Sequence, residues 1–226
     1  MKVCLDLFCG LGGFSAAFED AEDWHVVTVD IESRFDPDVQ ADVLNLRPAD
    51  ILDALPVAEW DDMDLFVVLA SPPCQYLNTA GNHDKWDFNA KQPTAPESRN
   101  AVALFHHAIG LIHAITPDWW VVENPRASRI RWSFRPPNYE VTYCQYGTDY
   151  QKPTGLWGNL PPSFAPMKCR AGDDCHVSNT EDDGSEAINS MNDLSQPERA
   201  LVPYDLSQSI FDAVENPDPQ GTLADW

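Results

Sequence analysis

The stretch "KVCLDLFCGLGGFSAAFEDA", residues 2 to 21, decides the fold of this chain, because it joins a strand pattern to a helix pattern through a glycine turn. The segment "KVCLDLF" predicts a strand, and "GGFSAAFEDA" predicts a helix that opens at the glycines. A strand, a glycine turn and a helix in this order are typical of a parallel sheet whose strands are connected by helices.

The same alternation of strand and helix patterns continues through the first two thirds of the chain. Further strands are predicted in "HVVTVDI", "MDLFVVLA", "DWWVVEN" and "YEVTYCQYG", and helices in "PADILDAL", "PESRNAVALFHHAIGLIHAI" and "VPYDLSQSIFDAV". We therefore predict an α/β fold with a doubly wound, mostly parallel sheet and helices on both faces. The polar segment 76–97 lacks periodicity, which is typical of lids and of disordered loops.

The charge of the chain is strongly unbalanced. The 226 residues include 14 lysines and arginines against 36 aspartates and glutamates, which gives a formal net charge of −22. Such a surface repels itself at low ionic strength, and molar salt screens the repulsion over a few ångströms. We therefore expect a halophilic protein of archaeal or viral origin, with an ordinary acidic cytosolic protein as the alternative.

Half of the cations lie in one fifth of the chain, between Arg126 and Arg170. Seven basic residues occur there, and only Glu140 and Asp149 oppose them. A positive face on a negative body suits a polyanion that is held locally. A chance cluster of solvated side chains is the alternative.

Membrane and export signals are missing from the sequence. No stretch approaches the twenty apolar residues of a membrane span, and the N-terminus runs straight into a strand pattern without the layout of a signal peptide. We expect a cytoplasmic protein, in the host cytoplasm if the source is viral, with no membrane partner. The six cysteines have no regular spacing and should be reduced there.

The glycines of "CGLGG" form the first candidate site. Glycines between a strand and a helix let the backbone approach a ligand closely and leave N–H groups free. The next strand ends in "VDIES", so Asp30 or Glu32 could accept hydrogen bonds from ribose hydroxyls, and Asp42 could meet an adenine amine. The order of these residues predicts a nucleotide site, although each acid alone is equally typical of a surface loop.

The second candidate site is Cys74, which follows the apolar strand pattern "MDLFVVLA" in the sequence "SPPCQ". Pro72 and Pro73 restrict the backbone before the thiol and so fix its position. A thiolate is a nucleophile, and Glu123, at the end of another strand, could protonate or hydrogen-bond a ring nitrogen at the same edge of the sheet. A small buried hydrophobe is the structural alternative for the cysteine.

Together, "DLFCGLGGFS", "SPPCQ" and "ENP" resemble the cytosine-C5 DNA methyltransferases, with the motifs in the order of that family. The resemblance covers residues 1 to about 160 and implies a Rossmann-like class I fold that binds S-adenosylmethionine and releases S-adenosylhomocysteine. The cofactor-binding residues it implies are Asp6, Phe8, Cys9, Gly10, Leu11, Gly12, Gly13, Asp30, Ile31, Glu32, Asp42, Val43 and Pro72. The substrate-binding residues it implies are Pro73, Gln75, Asn124, Pro125 and Arg126.

The resemblance also implies a mechanism on DNA. Cys74 would attack C6 of a flipped-out cytosine while Glu123 engages N3, and C5 would then take the methyl group. The segment "YGTDYQKPTGLWGN" is similar to a later family motif in which a glutamine precedes arginines, and here Gln151 matches but only Lys152 supplies a cation. The alternatives are an RNA or tRNA cytosine-5 methyltransferase and a catalytically silent regulatory or DNA-binding relative.

Four regions are expected along the chain. Residues 1–160 form the catalytic domain, 161–197 a reduced target-recognition region, 198–216 a C-terminal helix that returns to the catalytic domain, and 217–226 a tail. Because the recognition region is short, the target is a short site, specificity is low, or an accessory specificity protein assists.

The recognition region also contains "CRAGDDCH", which offers Cys169, Cys175 and His176 as weak candidates for metal ligands. A structural zinc site needs four ligands and commonly has closer cysteines. The fourth could come from Cys144 or from another residue. Free thiols in a loop are the alternative, and we predict no metal site.

Overall fold

The computed structural model describes residues 1–78, 82–176 and 194–218. Nine strands occur in these residues: β1 Lys2–Leu7, β2 Trp24–Asp30, β3 Val39–Gln40, β4 Leu65–Ala70, β5 Trp86–Asp87, β6 Gln92–Pro93, β7 Trp119–Pro125, β8 Tyr139–Thr142 and β9 Pro153–Asn159. The α-helices described are α1 Ala16–Glu19, α2 Pro48–Ala54, α3 Pro96–Ile115, α4 Gln196–Ala200 and α5 Tyr204–Glu215. Short 3-10 helices lie at Ser33–Phe35, Val43–Asn45, Trp60–Asp62, His83–Lys85, Arg129–Trp132 and Tyr143–Tyr146.

Seven strands form one sheet in the order β3-β2-β1-β4-β7-β9-β8. The pairs from β3 to β7 are parallel, whereas β9 runs antiparallel to both of its neighbours. The predicted α/β fold with a mostly parallel, Rossmann-like sheet is therefore confirmed. Its parallel strands end at a common edge, where ligands bind in open sheets of this kind.

Both faces of the sheet are buried, which explains the continuous apolar run of β4. Phe66 and Val68 belong to the core on one face, with helix α3, and Val67 and Leu69 belong to the core on the other, with α1 and α5. Alternate residues of a strand point to opposite faces, so a strand covered on both sides needs apolar residues throughout. Helices on both faces are as the pattern predicted.

Several predicted elements have other limits in the structure. The first helix begins at Ala16, because residues 8 to 13 form the turn. The predicted strand "YEVTYCQYG" ends at Thr142 and continues as a 3-10 helix. Strand β9 was missed, since proline and two glycines are unfavourable in a strand interior. Gly158 is needed there, because a Cβ would collide with the carbonyl oxygen of Trp120 on β7.

The segment 76–97 contains more structure than its sequence predicts. A 3-10 helix and the β5-β6 hairpin lie within it, and the ring of the buried Trp86 packs edge-on against Trp132, with centroids 5.6 Å apart. Aromatic burial joins this polar loop to the core on the α3 face of the sheet, a contact that a search for periodicity cannot detect.

Helix α5 closes the domain by packing on α1. Ser207 Oγ donates to the carbonyl oxygen of Phe14 at 2.7 Å and accepts from the backbone N–H of Ala17 at 3.1 Å. Within the described residues, no helix has both the length and the apolar character to cross a membrane. Residues 177–193 of the predicted recognition region and most of the predicted tail lie outside the described residues.

Candidate active site

The turn after β1 is shaped for close approach of a ligand. Phe8, Gly10 and Gly12 have φ angles of 66°, 52° and 76°, in the left-handed region. The backbone N–H groups of Phe8 and Cys9 both donate to the carbonyl oxygen of Val29 on β2. A non-glycine residue at positive φ is strained, and such strain is typical of functional turns.

Asp30 joins this turn to the loop after β2. One carboxylate oxygen accepts from the N–H of Gly10 at 3.0 Å, and the other accepts from the N–H of Glu32 at 2.8 Å. Both oxygens of Asp30 thus position the backbone. Glu32 is exposed at this edge and forms an ion pair of 2.6 Å with Arg34, so its carboxylate is the one presented to solvent.

Asp6 lies beneath the turn, fully buried. Its Oδ2 accepts a hydrogen bond of 2.8 Å from Ser15 Oγ, and its Oδ1 has no partner among the described residues. Burial raises the pKa of Asp6 to about 7, and the Ser15 hydroxyl opposes that shift. The carboxyl group of Asp6 therefore takes up a proton near neutral pH.

The loop that carries Cys74 is held by hydrogen bonds at Ser71 and at Pro72. Ser71 Oγ donates to the carbonyl oxygen of Phe8 at 3.0 Å, and Asn124 Nδ2 donates to that of Pro72 at 2.9 Å. These bonds connect the cysteine loop to the glycine turn and to β7. Burial raises the pKa of the half-buried Cys74 thiol, and the negative charge of Glu123 raises it further, whereas Lys152 and Asn78 lower it.

Glu123 belongs to a buried triad with Tyr143 and Lys152. Tyr143 donates its hydroxyl proton to Glu123 Oε1 at 2.9 Å. The Lys152 ammonium lies 3.4 Å from the same oxygen and 3.4 Å from the Tyr143 hydroxyl. Burial and the Glu123 carboxylate raise the pKa of Tyr143 well above its usual range. The triad therefore holds a carboxyl group and a cation in fixed positions, out of contact with bulk water.

These loops surround one cavity of about 840 Å³ at the carboxyl edge of the sheet. Its wall combines the glycine turn, the loop after β2, the Cys74 loop, the end of β7, the start of β9 and the segment 196–202. A volume of this size is typical of cofactor and small-ligand sites. The Cys74 thiol, a strained glycine turn and the exposed carboxylate of Glu32 thus share one space.

The profile of the C-5 cytosine-specific DNA methylase family matches residues 2–127, which is more than half of the chain. The chain belongs to this family. The predicted relationship is therefore confirmed, and the matched range contains the glycine turn, Cys74 and Glu123.

One solved structure supports the fold of this chain. A DNA modification methyltransferase encoded within a prophage of E. coli superimposes with a TM-score of 0.51 at 18% identity, over 75% of this chain and 52% of the other. Entamoeba histolytica methyltransferase EhMeth gives a TM-score of 0.48 at 14% identity, over 75% and 57%. The chain thus spans just over half the length of these proteins. No curated protein sequence matches it.

The cavity brings together most of the residues singled out in the sequence. Those that line it are Phe8, Cys9, Gly10, Leu11, Gly13, Asp30, Ile31, Glu32, Pro73, Cys74, Gln75, Pro125, Arg126, Gln151 and Lys152. Predicted residues outside its wall are Asp6, Gly12, Asp42, Val43, Pro72, Glu123 and Asn124. Of these, Asp42 caps its own 3-10 helix by accepting from the N–H of Leu44, and Val43 is buried in the core. Their roles at the cofactor stay predictions.

Other residues of the cavity wall were not identified from the sequence. They are Phe14, Arg34, Phe35, Ser71, Asn78, Ala127, Pro153, Gln196, Pro197, Arg199, Ala200, Leu201 and Val202. Arg34 and Phe35 come directly after the segment "VDIES". Their position in the loop after β2 could therefore have been used to predict that they line the cavity. Residues 196–202 carry no comparable signal in the sequence.

The positive face is smaller than the clustered cations predict. Arg129 is fully buried between the rings of Trp86 and Phe88, Lys152 is buried in the triad, and Lys168 pairs with Glu140 at 3.0 Å. The exposed cations of the cluster are Arg126, Arg131, Arg135 and Arg170, together with the paired Lys168. Five of the seven basic residues are therefore exposed, whereas Arg129 and Lys152 serve the core, because a cation can be buried when rings and carboxylates surround it.

Proposed function

We propose that the chain is an S-adenosylmethionine-dependent DNA cytosine-5 methyltransferase that acts through a covalent adduct of Cys74. The observation that carries the proposal is that the Cys74 thiol, the glycine turn and Lys152, which lies 3.4 Å from Glu123 Oε1, share the wall of one cavity. Family membership supports the same reaction class.

The cavity fits the cofactor on chemical grounds. The turn at Phe8 to Gly12 gives backbone access, and Glu32 offers carboxylate oxygens to ribose hydroxyls, with Asp30 fixing both loops through its two hydrogen bonds. When bound, S-adenosylmethionine supplies an electrophilic methyl group on a sulfonium. Leu201 and Val202 close the turn from the other side, so the C-terminal segment excludes water from this end.

Cys74 and Glu123 divide the chemistry at the base. The thiolate of Cys74 adds to C6 of the cytosine, while Glu123 engages N3 and so draws electrons from the ring. C5 then becomes nucleophilic and takes the methyl group. Loss of the C5 proton and expulsion of the thiolate restore the aromatic ring.

The electrostatics link the two roles. The negative charge of Glu123 raises the pKa of the Cys74 thiol in the free protein. The Lys152 ammonium acts in the opposite direction and favours the thiolate. The cytosine must be flipped out of the duplex to reach the thiol.

Residues 161–197 are proposed as a reduced target-recognition region, with an accessory protein as one source of further specificity. The exposed Arg126 and Gln75 at the cavity rim are proposed to contact the DNA around the flipped base. Phosphate contacts weaken steeply with salt, so contacts to the base and its shape must supply more of the affinity in concentrated salt.

A methyl-transfer assay with labelled S-adenosylmethionine tests this function. DNA, tRNA and free nucleotide are offered in parallel, with the Cys74→Ala and Glu123→Gln variants and a Cys4→Ala control, since Cys4 is buried away from the cavity. Label in the C5 position of DNA cytosine, abolished by Cys74→Ala and retained by the control, supports the proposal. Label in tRNA alone, or label that survives in Cys74→Ala, would overturn it.

A further inference from the structure

A cluster of thiols lies in the part of the chain that the catalytic proposal does not use. The sulfur atoms of Cys144, Cys169 and Cys175 are all within 4.8 Å of one another, and those of Cys144 and Cys175 are 3.4 Å apart. His176 Nδ1 lies 3.3 Å from the Cys169 sulfur. A disulfide has sulfurs about 2.05 Å apart, so all three thiols are free. We call the three cysteines together with His176 the thiol cluster.

Backbone hydrogen bonds assemble the thiol cluster from distant parts of the sequence. The segment with Met167 and Cys169 runs beside the end of β8, where the N–H of Thr142 donates to the carbonyl oxygen of Met167 at 3.0 Å, and the N–H of Cys169 donates to Thr142 Oγ1 at 3.2 Å. The Tyr146 hydroxyl accepts from the N–H of Met167 at 2.9 Å. These bonds place Cys169 beside Cys144, which follows β8 directly.

A turn then brings the chain back to Cys144 and Cys169. Asp173 Oδ2 accepts from the N–H of Arg170 at 2.7 Å and from Gln145 Nε2 at 2.9 Å, and the N–H of His176 donates to the carbonyl oxygen of Asp173 at 2.8 Å. The turn brings Cys175 and His176 back to the two other cysteines. The thiols are thus preorganised by bonds that do not involve them.

The geometry and the donor chemistry match one class of ligand. Sulfur ligands at 2.3 Å from a tetrahedral zinc ion lie about 3.8 Å apart, and three thiolates with one imidazole are a common closed set. Gln151 Nε2 donates to the Cys169 sulfur at 3.2 Å, as outer partners of metal ligands do.

We propose that Cys144, Cys169, Cys175 and His176 bind a structural zinc ion. The ion would fasten the segment 167–176 to the end of β8. It would also hold Gln151, which contacts both Cys169 and His176 and lines the cavity next to Lys152. With four protein ligands no position is open to substrate, so the role is structural.

Metal analysis of the full chain, purified under reducing conditions, tests the site without any activity assay. The proposal predicts about one zinc per chain by elemental analysis, with Zn–S distances of about 2.3 Å in X-ray absorption. Cobalt substituted for zinc should give the intense visible bands of a tetrahedral thiolate site. Wild-type protein without bound metal after reconstitution with zinc would overturn the proposal.

Variants assign the ligands. Cys175→Ser and the exposed His176→Ala should each weaken zinc binding at least tenfold, whereas Cys74→Ser keeps one zinc per chain, because that thiol lies in the cavity. Circular dichroism checks that each variant folds. If Cys175→Ser does not fold, the proposal rests on His176→Ala and on the cobalt spectrum of the wild type. Unchanged zinc affinity in folded His176→Ala, or a Cys144–Cys175 disulfide found in place of metal, contradicts it.

Discussion

Lys152→Met tests the buried triad most directly, because it removes the ammonium group but keeps much of the side-chain length. That ammonium lies 3.4 Å from Glu123 Oε1, and the two side chains are only 10% and 6% exposed, so water cannot replace the lost partner. At an effective dielectric of about 20, unit charges at this separation interact by about 5 kcal/mol. Breaking a buried pair typically costs about 3–5 kcal/mol. We expect a loss of about 3 kcal/mol in the free energy of unfolding.

A double-mutant cycle separates the pair from other effects of the substitutions. Glu123→Gln alone leaves the Lys152 ammonium buried without its counterion, so it should also destabilise the protein. The double variant leaves no buried charge and should be more stable than the sum of the two losses predicts, by about 2–3 kcal/mol. Urea unfolding at one fixed molar salt concentration, followed by tryptophan fluorescence, gives all four free energies. If the loss of stability in the double variant equals the sum of the two single losses within about 0.5 kcal/mol, Lys152 and Glu123 do not interact as proposed.

Three further predictions concern the glycine turn, the buried acid and the surface charge. Gly13→Ala places a Cβ 2.5 Å from Leu201 Cδ1 and closer still to the Val202 carbonyl oxygen, so it should weaken cofactor binding by displacing the C-terminal segment. Its matched control is Gly110→Ala on α3, where a Cβ has open space. Calorimetric titration measures the affinity of both variants for the cofactor, and equal affinities would contradict a role for the packing of Gly13 against residues 201 and 202. Asp6 has a pKa of about 7 in the folded protein against a usual value of 3.8. Between these two pH values the folded state keeps the proton of Asp6, whereas the unfolded state loses it. The free energy of unfolding should therefore fall as the pH rises from 3.8 to about 7, by at most about 1.4 kcal/mol per pH unit. Asp6→Asn should flatten this slope in unfolding curves between pH 4 and about 7, and an unchanged slope would contradict the assignment. With a net charge of −22, the chain should unfold in dilute buffer and refold in molar salt, as circular dichroism would show; full stability without salt would contradict the halophilic account.

Features that depend on neighbouring residues, or on a pattern repeated along one strand, could be predicted from the sequence. The apolar run of β4, the limits of α3 and the glycine turn follow from short-range patterns, and the order of the three motifs fixed the family. Cys74 follows β4 and Glu123 lies near the carboxyl end of β7, so the edge they share could be deduced from parallel pairing.

Contacts that depend on the register of distant strands could not be deduced in this way. Tyr143 reaches Glu123 because β9 runs antiparallel between β7 and β8, and β9 itself was obscured by its glycines. The same pairing turned Lys152 from a surface cation into a buried counterion of Glu123. Arg129 was misjudged for a related reason, because the rings of Trp86 and Phe88 come from a loop about forty residues earlier.

The central claim is that the Cys74 sulfur bonds to carbon 6 of a cytosine while the methyl group is delivered to carbon 5. An oligonucleotide that contains 5-fluorocytosine tests it, because fluorine cannot leave as a proton does and the adduct is trapped. With S-adenosylmethionine present, denaturing electrophoresis and mass spectrometry should show a covalent complex through Cys74, which is absent in Cys74→Ala and present in Cys4→Ala. A folded, cofactor-binding protein that forms no such complex, or forms it through another residue, would contradict the account.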